Sequence, residues 1–259
     1  MRALFTAATG MEAQQMRIDA IANNLANVTT TGYKKSRPEF QDLFYETLRA
    51  PGAEAANGES LPTGAQVGHG VKLAGISRIY SQGDRLATSR DLDLAIDGDG
   101  FFRLEDGDGQ EVYTRDGSFH LDRDGNLVNN QGYQLVPGVQ VPTDAIQVTI
   151  MRDGTVSALV AGDTSPTELG LIEIARFPNP TGLRALGSNL VVPSESSGDA
   201  EDGVPGQLGF GELAQGFLES SNVDMAEELV RMILAQRAFE VNSRVIQAGD
   251  EMLQTAGQL

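Results

Sequence analysis

The residues best placed to do chemistry are acids in turns. Asp122-Arg123-Asp124-Gly125-Asn126 has the spacing that opens a calcium-binding EF-hand loop, where oxygens at alternate positions converge on one cation. The set is incomplete. Leu127 stands where the sharp turn needs Gly, and Tyr133 where a bidentate Glu belongs. Asp97-Gly98-Asp99-Gly100 fails in the same way, so turn chemistry explains both runs better and no metal is expected. His69 and His120 are the two histidines, and neither has a metal-ligand partner at helical spacing. Carboxylates abound, but none sits in a recognisable hydrolytic motif. There is no Gly-x-Ser-x-Gly and no phosphate loop, and Gly98-x-Gly100 runs into Phe101-Phe102 and a strand rather than a helix. No cofactor is expected, and the chain does not read as an enzyme.

More telling are amides on helices. Asn23, Asn24 and Asn27 crowd five residues, and Gln236, Arg237 and Asn242 lie close together. Asn is a poor helix former. A helix end explains Asn27; Asn23 and Asn24 are better read as interhelical hydrogen-bonding groups that fix register in a packed assembly.

The elements carrying these residues are two terminal helices. At the N-terminus Leu4, Met11, Ile18 and Leu25 fall seven apart, with Ile21 three beyond Ile18. At the C-terminus Leu218, Met225, Met232, Phe239, Ile246 and Leu253 do the same. Sustained heptads mean a narrow apolar seam that another helix must cover. The first helix reads as 3–27, its outer face carrying Glu12, Gln15, Asp19 and Asn23, and it ends in Asn27-Val28-Thr29-Thr30-Thr31-Gly32. The last helix follows Ser221-Asn222-Val223-Asp224, which matches a capping box.

Between them the composition reads as β. Asp-Gly pairs at 97–98, 99–100, 106–107, 108–109, 116–117, 124–125 and 153–154 are hairpin signals. Strands are expected at 92–97, 100–105, 110–114, 118–122, 126–129, 133–136, 146–151, 155–159 and 170–177, with a loop from Ser194 to Gly206. The fold class is therefore α+β: long terminal helices pairing as a coiled coil, around an inserted, mainly antiparallel β domain of barrel or sandwich type. The chain divides into 1–32, the first helix of a discontinuous inner domain; 33–70, an extended arm or linker; 71–219, the β domain; and 220–259, the second helix. In the arm, Pro51 and Pro62 restrict the backbone, while Leu48 and Leu61 could anchor it on a neighbouring subunit.

Charge narrows the partners. The formal net charge is −17, so a phosphate backbone is repelled and nucleic-acid binding is not expected. There are no cysteines, which excludes a disulfide framework. No apolar run is long enough to span a membrane, and the N-terminal residues lack the pattern of a cleavable signal peptide.

Ala22-Asn23-Asn24-Leu25-Ala26-Asn27-Val28-Thr29-Thr30-Thr31-Gly32-Tyr33-Lys34 resembles the signature of flagellar axial proteins, the rod and hook subunits. Ile96 to Phe102 (with Gly98, Gly100 and Phe101), Tyr113 to Phe119 (with Arg115, Asp116 and Gly117), and Asn222 running on to Gln236 and Arg237 are similar to the same family. Leu61-Pro62-Thr63-Gly64 with Gly68-His69-Gly70-Val71 resembles its distal-rod branch, and Phe239 replaces a commoner Tyr. The resemblance implies a helical homopolymer in the basal body, spanning the periplasm. It implies as partners proximal-rod and hook-side axial proteins, surrounding envelope ring proteins and the flagellar export apparatus, without membrane insertion. It also implies a rigid tube that transmits motor torque to the hook and through which axial proteins are exported.

Overall fold

A computed structural model describes residues 2–50, 63–162 and 165–257. The chain is α+β, with a helix near each end and antiparallel strands between. It forms two compact units. One comprises Met1–Ala26, Ser36–Ser77 and Asp224–Leu259, the other Asn27–Lys35 and Arg78–Val223.

In the first unit, α1 (Arg2–Ala26) and α2 (Met225–Gly257) lie antiparallel. Leu4 faces Gly249, Gly10 faces Asn242, and the Asn24 amide donates to Glu228 at 3.2 Å. The deepest line of α2 is not the apolar heptad. Leu218 lies in the strand Phe217–Glu219, ahead of the helix, while Met225 and Leu253 are 50% and 48% exposed. Met232, Phe239 and Ile246 are half-buried. Glu228, Ala235 and Gly249 are buried instead, with Asn242 half-buried on the same seven-residue spacing. Small residues hold this line because the backbones approach closely: a Cβ on Gly10 would stand 2.9 Å from the Asn242 amide, and one on Gly249 would overlap Leu4. On α1 the buried residues are Ala7, Ala13, Ile21 and Asn24, with Leu4, Met11, Ile18 and Leu25 half-buried beside them.

Helix α2 begins at a single acid. Asp224 Oδ1 accepts from the backbone N–H groups of Ala226 at 2.8 Å and Glu227 at 3.0 Å. Asp224 is thus the cap, three residues beyond Ser221, the cap that the expected box implies. Ser221 Oγ instead accepts from Val223 N–H at 3.3 Å. A carboxylate at this position satisfies two otherwise unpaired donors and complements the positive helix end. Asp224→Ala should cost about 1 kcal/mol, read as a loss of α2 helicity by circular dichroism. Four strands accompany the helices: β1 (Ser36–Asp42), β2 (Tyr45–Arg49), β3 (Ala65–Gly68) and β4 (Val71–Arg78), with β1 beside β4 and β2 antiparallel to β3. The stretch after α1 therefore contains strand structure on both sides of residues 51–62.

The second unit is built on a nine-stranded sheet. Its path runs from Arg184–Gly187 through Leu190–Val192, Glu111–Thr114, Phe101–Glu105, Gln134–Leu135 and Leu127–Val128 to His120–Leu121. The Ile174–Arg176 strand pairs with Phe101–Glu105 and carries Glu201–Gly203 on its other side. A three-stranded sheet joins Ala145–Ile150, Thr155–Val160 and Thr167–Leu171. Phe102, Leu104, Phe119, Leu127, Leu135 and Ile174 fill one core, all essentially inaccessible.

Some Asp-Gly pairs make the hairpins expected of them. Gly125 N–H bonds to Asp122 O at 3.0 Å with φ +83°, and Gly154 N–H to Met151 O at 3.0 Å with φ +87°. The acids that resembled a calcium loop are thus turn residues between His120–Leu121 and Leu127–Val128. The Asp97 to Gly100 run is different. Leu94–Asp97 pairs with the distant Glu212–Gln215 and not with Phe101–Glu105, so the run is a crossing rather than a hairpin. The expected strand 170–177 also splits: Thr167–Leu171 and Ile174–Arg176 belong to different sheets, the chain turning at Ile172, whose N–H donates to Gly154 O at 2.8 Å. Glu201–Gly203 lies inside the expected loop and is three residues long, too short for a periodic signal.

Candidate assembly site

Five segments far apart in sequence meet inside the second unit, and Glu219 is their hub. Its carboxylate is 1% exposed. It accepts from Lys34 Nζ at 2.6 Å, from Gly83 N–H at 2.9 Å and from Arg115 Nη1 at 3.4 Å. Lys34 also donates to Ser81 O at 2.8 Å, and Arg115 Nη2 to Gly98 O at 2.9 Å. The Arg115 guanidinium lies over the Phe101 ring, 5.3 Å from its centroid. Burial pushes both the Lys34 ammonium and the Arg115 guanidinium below their usual pKa values, with Glu219 opposing the shift in each case. Two cations and one anion held this dry need acceptors for their remaining donors; the Ser81 and Gly98 carbonyls supply two, while the buried Arg115 Nε has none.

Around the hub, Asn222 works as a backbone mimic. Its Oδ1 accepts from Lys35 N–H at 2.8 Å, and its Nδ2 donates to Ile79 O at 2.8 Å and Ser81 O at 3.1 Å. Gly32, at φ +67°, donates its N–H to Glu219 O at 2.8 Å. Thr31 Oγ1 reaches Asp116 at 3.1 Å, whose Oδ1 also accepts from Ser118. Gly117 lies so close to the Leu94 carbonyl that a Cβ would overlap it, and a Cβ on Gly100 would meet Ile174 at 2.8 Å. The structure thus brings together Gly32, Gly98, Gly100, Phe101, Arg115, Asp116, Gly117 and Asn222, eight residues that the sequence offered as separate motif members. It is a crossing of chain segments, held by ion pairs and by hydrogen bonds to the backbone.

The helical residues make a second cluster. Asn24 is 2% exposed; its Oδ1 accepts from Ser36 N–H at 2.9 Å, and its amide donates to Ser36 O at 2.9 Å and to Glu228. It therefore bonds both the partner helix and the strand after α1. Asn27 accepts from Thr30 Oγ1 at 3.2 Å near the helix end. Asn23 and Gln236 lie on exposed sides, as does Arg237, which pairs with Glu240 at 3.1 Å. Leu48 is 59% exposed in β2, whereas Pro51, Leu61 and Pro62 lie outside the described residues. Of the buried acids at the centre of the two clusters, Glu219 carries no distinguishing sequence pattern, and its buried cations are visible only in the structure. For Glu228 the available signal is its seven-residue spacing with Ala235, Asn242 and Gly249.

One face of α2 has no cover within its unit. Val230, Leu234, Val241, Val245 and Met252 are between 44% and 68% exposed. Their steps of four and seven make an eleven-residue repeat, which keeps a stripe on one side of a nearly straight helix.

Comparison with known proteins agrees along the whole chain. Residues 4–34 match the family model described as flagella basal body rod protein, 95–158 that of the flagellar hook protein FlgE/F/G D1 domain, and 214–259 that of the flagellar basal body rod FlgEFG protein C-terminal. The chain is similar to the flagellar basal-body rod protein FlgG of Borreliella burgdorferi, with 51% identity covering 100% of this chain and 98% of the relative. Those of Agrobacterium fabrum and Bacillus subtilis are 46% and 42% identical, covering 97% and 98% of this chain and 97% of each relative.

Proposed function

The chain belongs to the flagellar basal-body rod protein family, a structural family and not an enzyme one, and we propose that it is a distal rod subunit. In this reading it polymerises into a rigid helical tube that transmits motor torque to the hook and through which other axial proteins are exported. Its terminal helices act as the coiled-coil assembly elements, and residues 33–70 as an arm that locks a neighbouring subunit. Proximal-rod and hook-side axial proteins, envelope ring proteins and the export apparatus are its proposed partners.

The observation that supports this most is the uncovered α2 stripe. Five large apolar side chains on one helical face, each about half or more exposed, call for a protein surface to bury them. Other copies of the chain supply that surface in a homopolymer.

The test is sedimentation and negative-stain microscopy of the purified full-length chain at rising concentration. Straight, elongated particles are expected. Val241→Asp with Val245→Asp should abolish them, because each new carboxylate is carried into a dry contact. The far-ultraviolet spectrum should not change, since both positions are exposed in the monomer. A closed dimer of fixed size, or particles that survive both substitutions, overturns the reading.

A further inference from the structure

Within the first unit, three arginines from three elements converge on one cleft. Arg17 of α1, Arg37 of β1 and Arg231 of α2 line a cavity of about 290 Å³, with Ile21, Pro38 and Leu234 among its apolar walls. At its inner end sits Glu228, whose side chain is 1% exposed. Its Oε2 accepts from Asn24, but Oε1 receives no hydrogen bond, Arg231 standing 3.6 Å away. The cleft therefore shows cations at its rim and, at its floor, a buried carboxylate oxygen that has the Arg231 ion pair but no hydrogen bond. This is unusual on a chain of net charge −17. The local pairs do not exhaust the rim. Arg37 bonds Glu39 at 3.1 Å and Arg231 bonds Glu227 at 2.6 Å, while each guanidinium offers five donors.

The complementary surface is on the same chain. Glu12, Gln15 and Asp19 are exposed along one side of α1, with Gln15 Nε2 donating to Asp19 Oδ1 at 3.0 Å. A stripe of acid, amide, acid presents two acceptors for the arginines and, between them, an amide donor for Glu228. Arg17 stands two residues from both Gln15 and Asp19, which places it roughly 160° around the helix from them. The acidic stripe and the arginine cleft thus lie on opposite sides of one helix. A copy cannot satisfy its own cleft with its own stripe, but it can receive one neighbour and enter another.

We infer that the Arg17–Arg37–Arg231 cleft receives the Glu12–Gln15–Asp19 stripe of a second copy, as a heterologous, head-to-tail contact. Such a contact propagates instead of closing, because the two patches are different and point apart. The inference rests on the self-assembly reading and names the residues that give it direction. Rim charges of this kind set register and salt sensitivity more than total affinity, which the apolar stripe supplies.

The natural chain has no cysteine, so single-cysteine variants report contacts cleanly. Asp19→Cys, Arg37→Cys and Asp250→Cys chains are mixed in pairs under assembling conditions and treated with a short bis-maleimide. The expected product is the mixed 19–37 dimer. Dominant 19–19 or 37–37 dimers would mean a two-fold contact and overturn the inference, as would a dominant 37–250 product, which would seat the end of α2 in the cleft. In parallel, Asp19→Arg should raise the concentration for half-assembly by about tenfold, and adding Arg37→Asp to the same chain should restore it. Assembly that proceeds without a 19–37 product refutes the contact and leaves the self-assembly reading intact. No assembly of the unmodified chain refutes both.

Discussion

Glu219→Gln should destabilise the protein by about 3–5 kcal/mol, measured as a shift in urea unfolding of the full-length chain. The substitution keeps the shape of the side chain, removes its charge and turns one accepting oxygen into an N–H donor that faces Lys34 or Arg115. Lys34 and Arg115, whose side chains are 2% and 4% exposed, then stay buried with no anion between them. The low-dielectric surroundings that make the triad strong when complete make it costly when one member is missing. Lys34→Met should cost less, because Arg115 still neutralises Glu219 and the methionine chain fills the vacated space. A Glu219→Gln protein within 1 kcal/mol of the natural one would mean that water reaches the hub.

Gly32→Ala should be nearly as damaging, for two separable reasons. At φ +67° an alanine pays roughly 1–2 kcal/mol for the left-handed backbone. Its Cβ would also stand 2.6 Å from Asp116 N and 2.7 Å from Arg115 C, both backbone atoms that cannot swing aside, adding about 1–3 kcal/mol. Gly132→Ala is the internal control, because Gly132 has φ +85° and nothing near its Cβ position. The difference between the two melting shifts isolates the packing contribution. In native-state hydrogen exchange, the Gly32 amide, bonded to Glu219 O, should lose its protection first. Equal shifts at both glycines would show that the chain around 31–35 tolerates displacement.

The periodic features were legible in the residues themselves. Heptad spacing placed both long helices, and Asp-Gly pairs at 124–125 and 153–154 placed hairpin turns, since period and turn type depend on neighbours a few positions away. That Asn24 makes a hydrogen bond between helices was also readable, because a poor helix former within a helix needs a partner. The family motifs were readable as words, but not as one place. That Gly32, Gly98, Arg115, Asp116, Asn222 and an unremarked Glu219 meet in a single crossing depends on pairings between distant segments, such as Lys35 N–H to Asn222 Oδ1, 187 residues apart. No local pattern encodes such a separation.

Tertiary packing also decided which helical line lies deepest. The heptad singles out bulky residues, Met232, Phe239 and Ile246, because hydrophobicity is what a one-dimensional pattern displays. Two backbones drawn close together leave room only for Ala235, Gly249 and a hydrogen-bonded Glu228 and Asn24 between them, so the bulky residues settle on the flanks. The sequence by itself determined where the two helices and some of the hairpin turns are, and that each terminal helix needs a partner surface. Only the tertiary structure decided which face each helix packs within its own chain, and which it leaves exposed, because that choice depends on the distance between backbones.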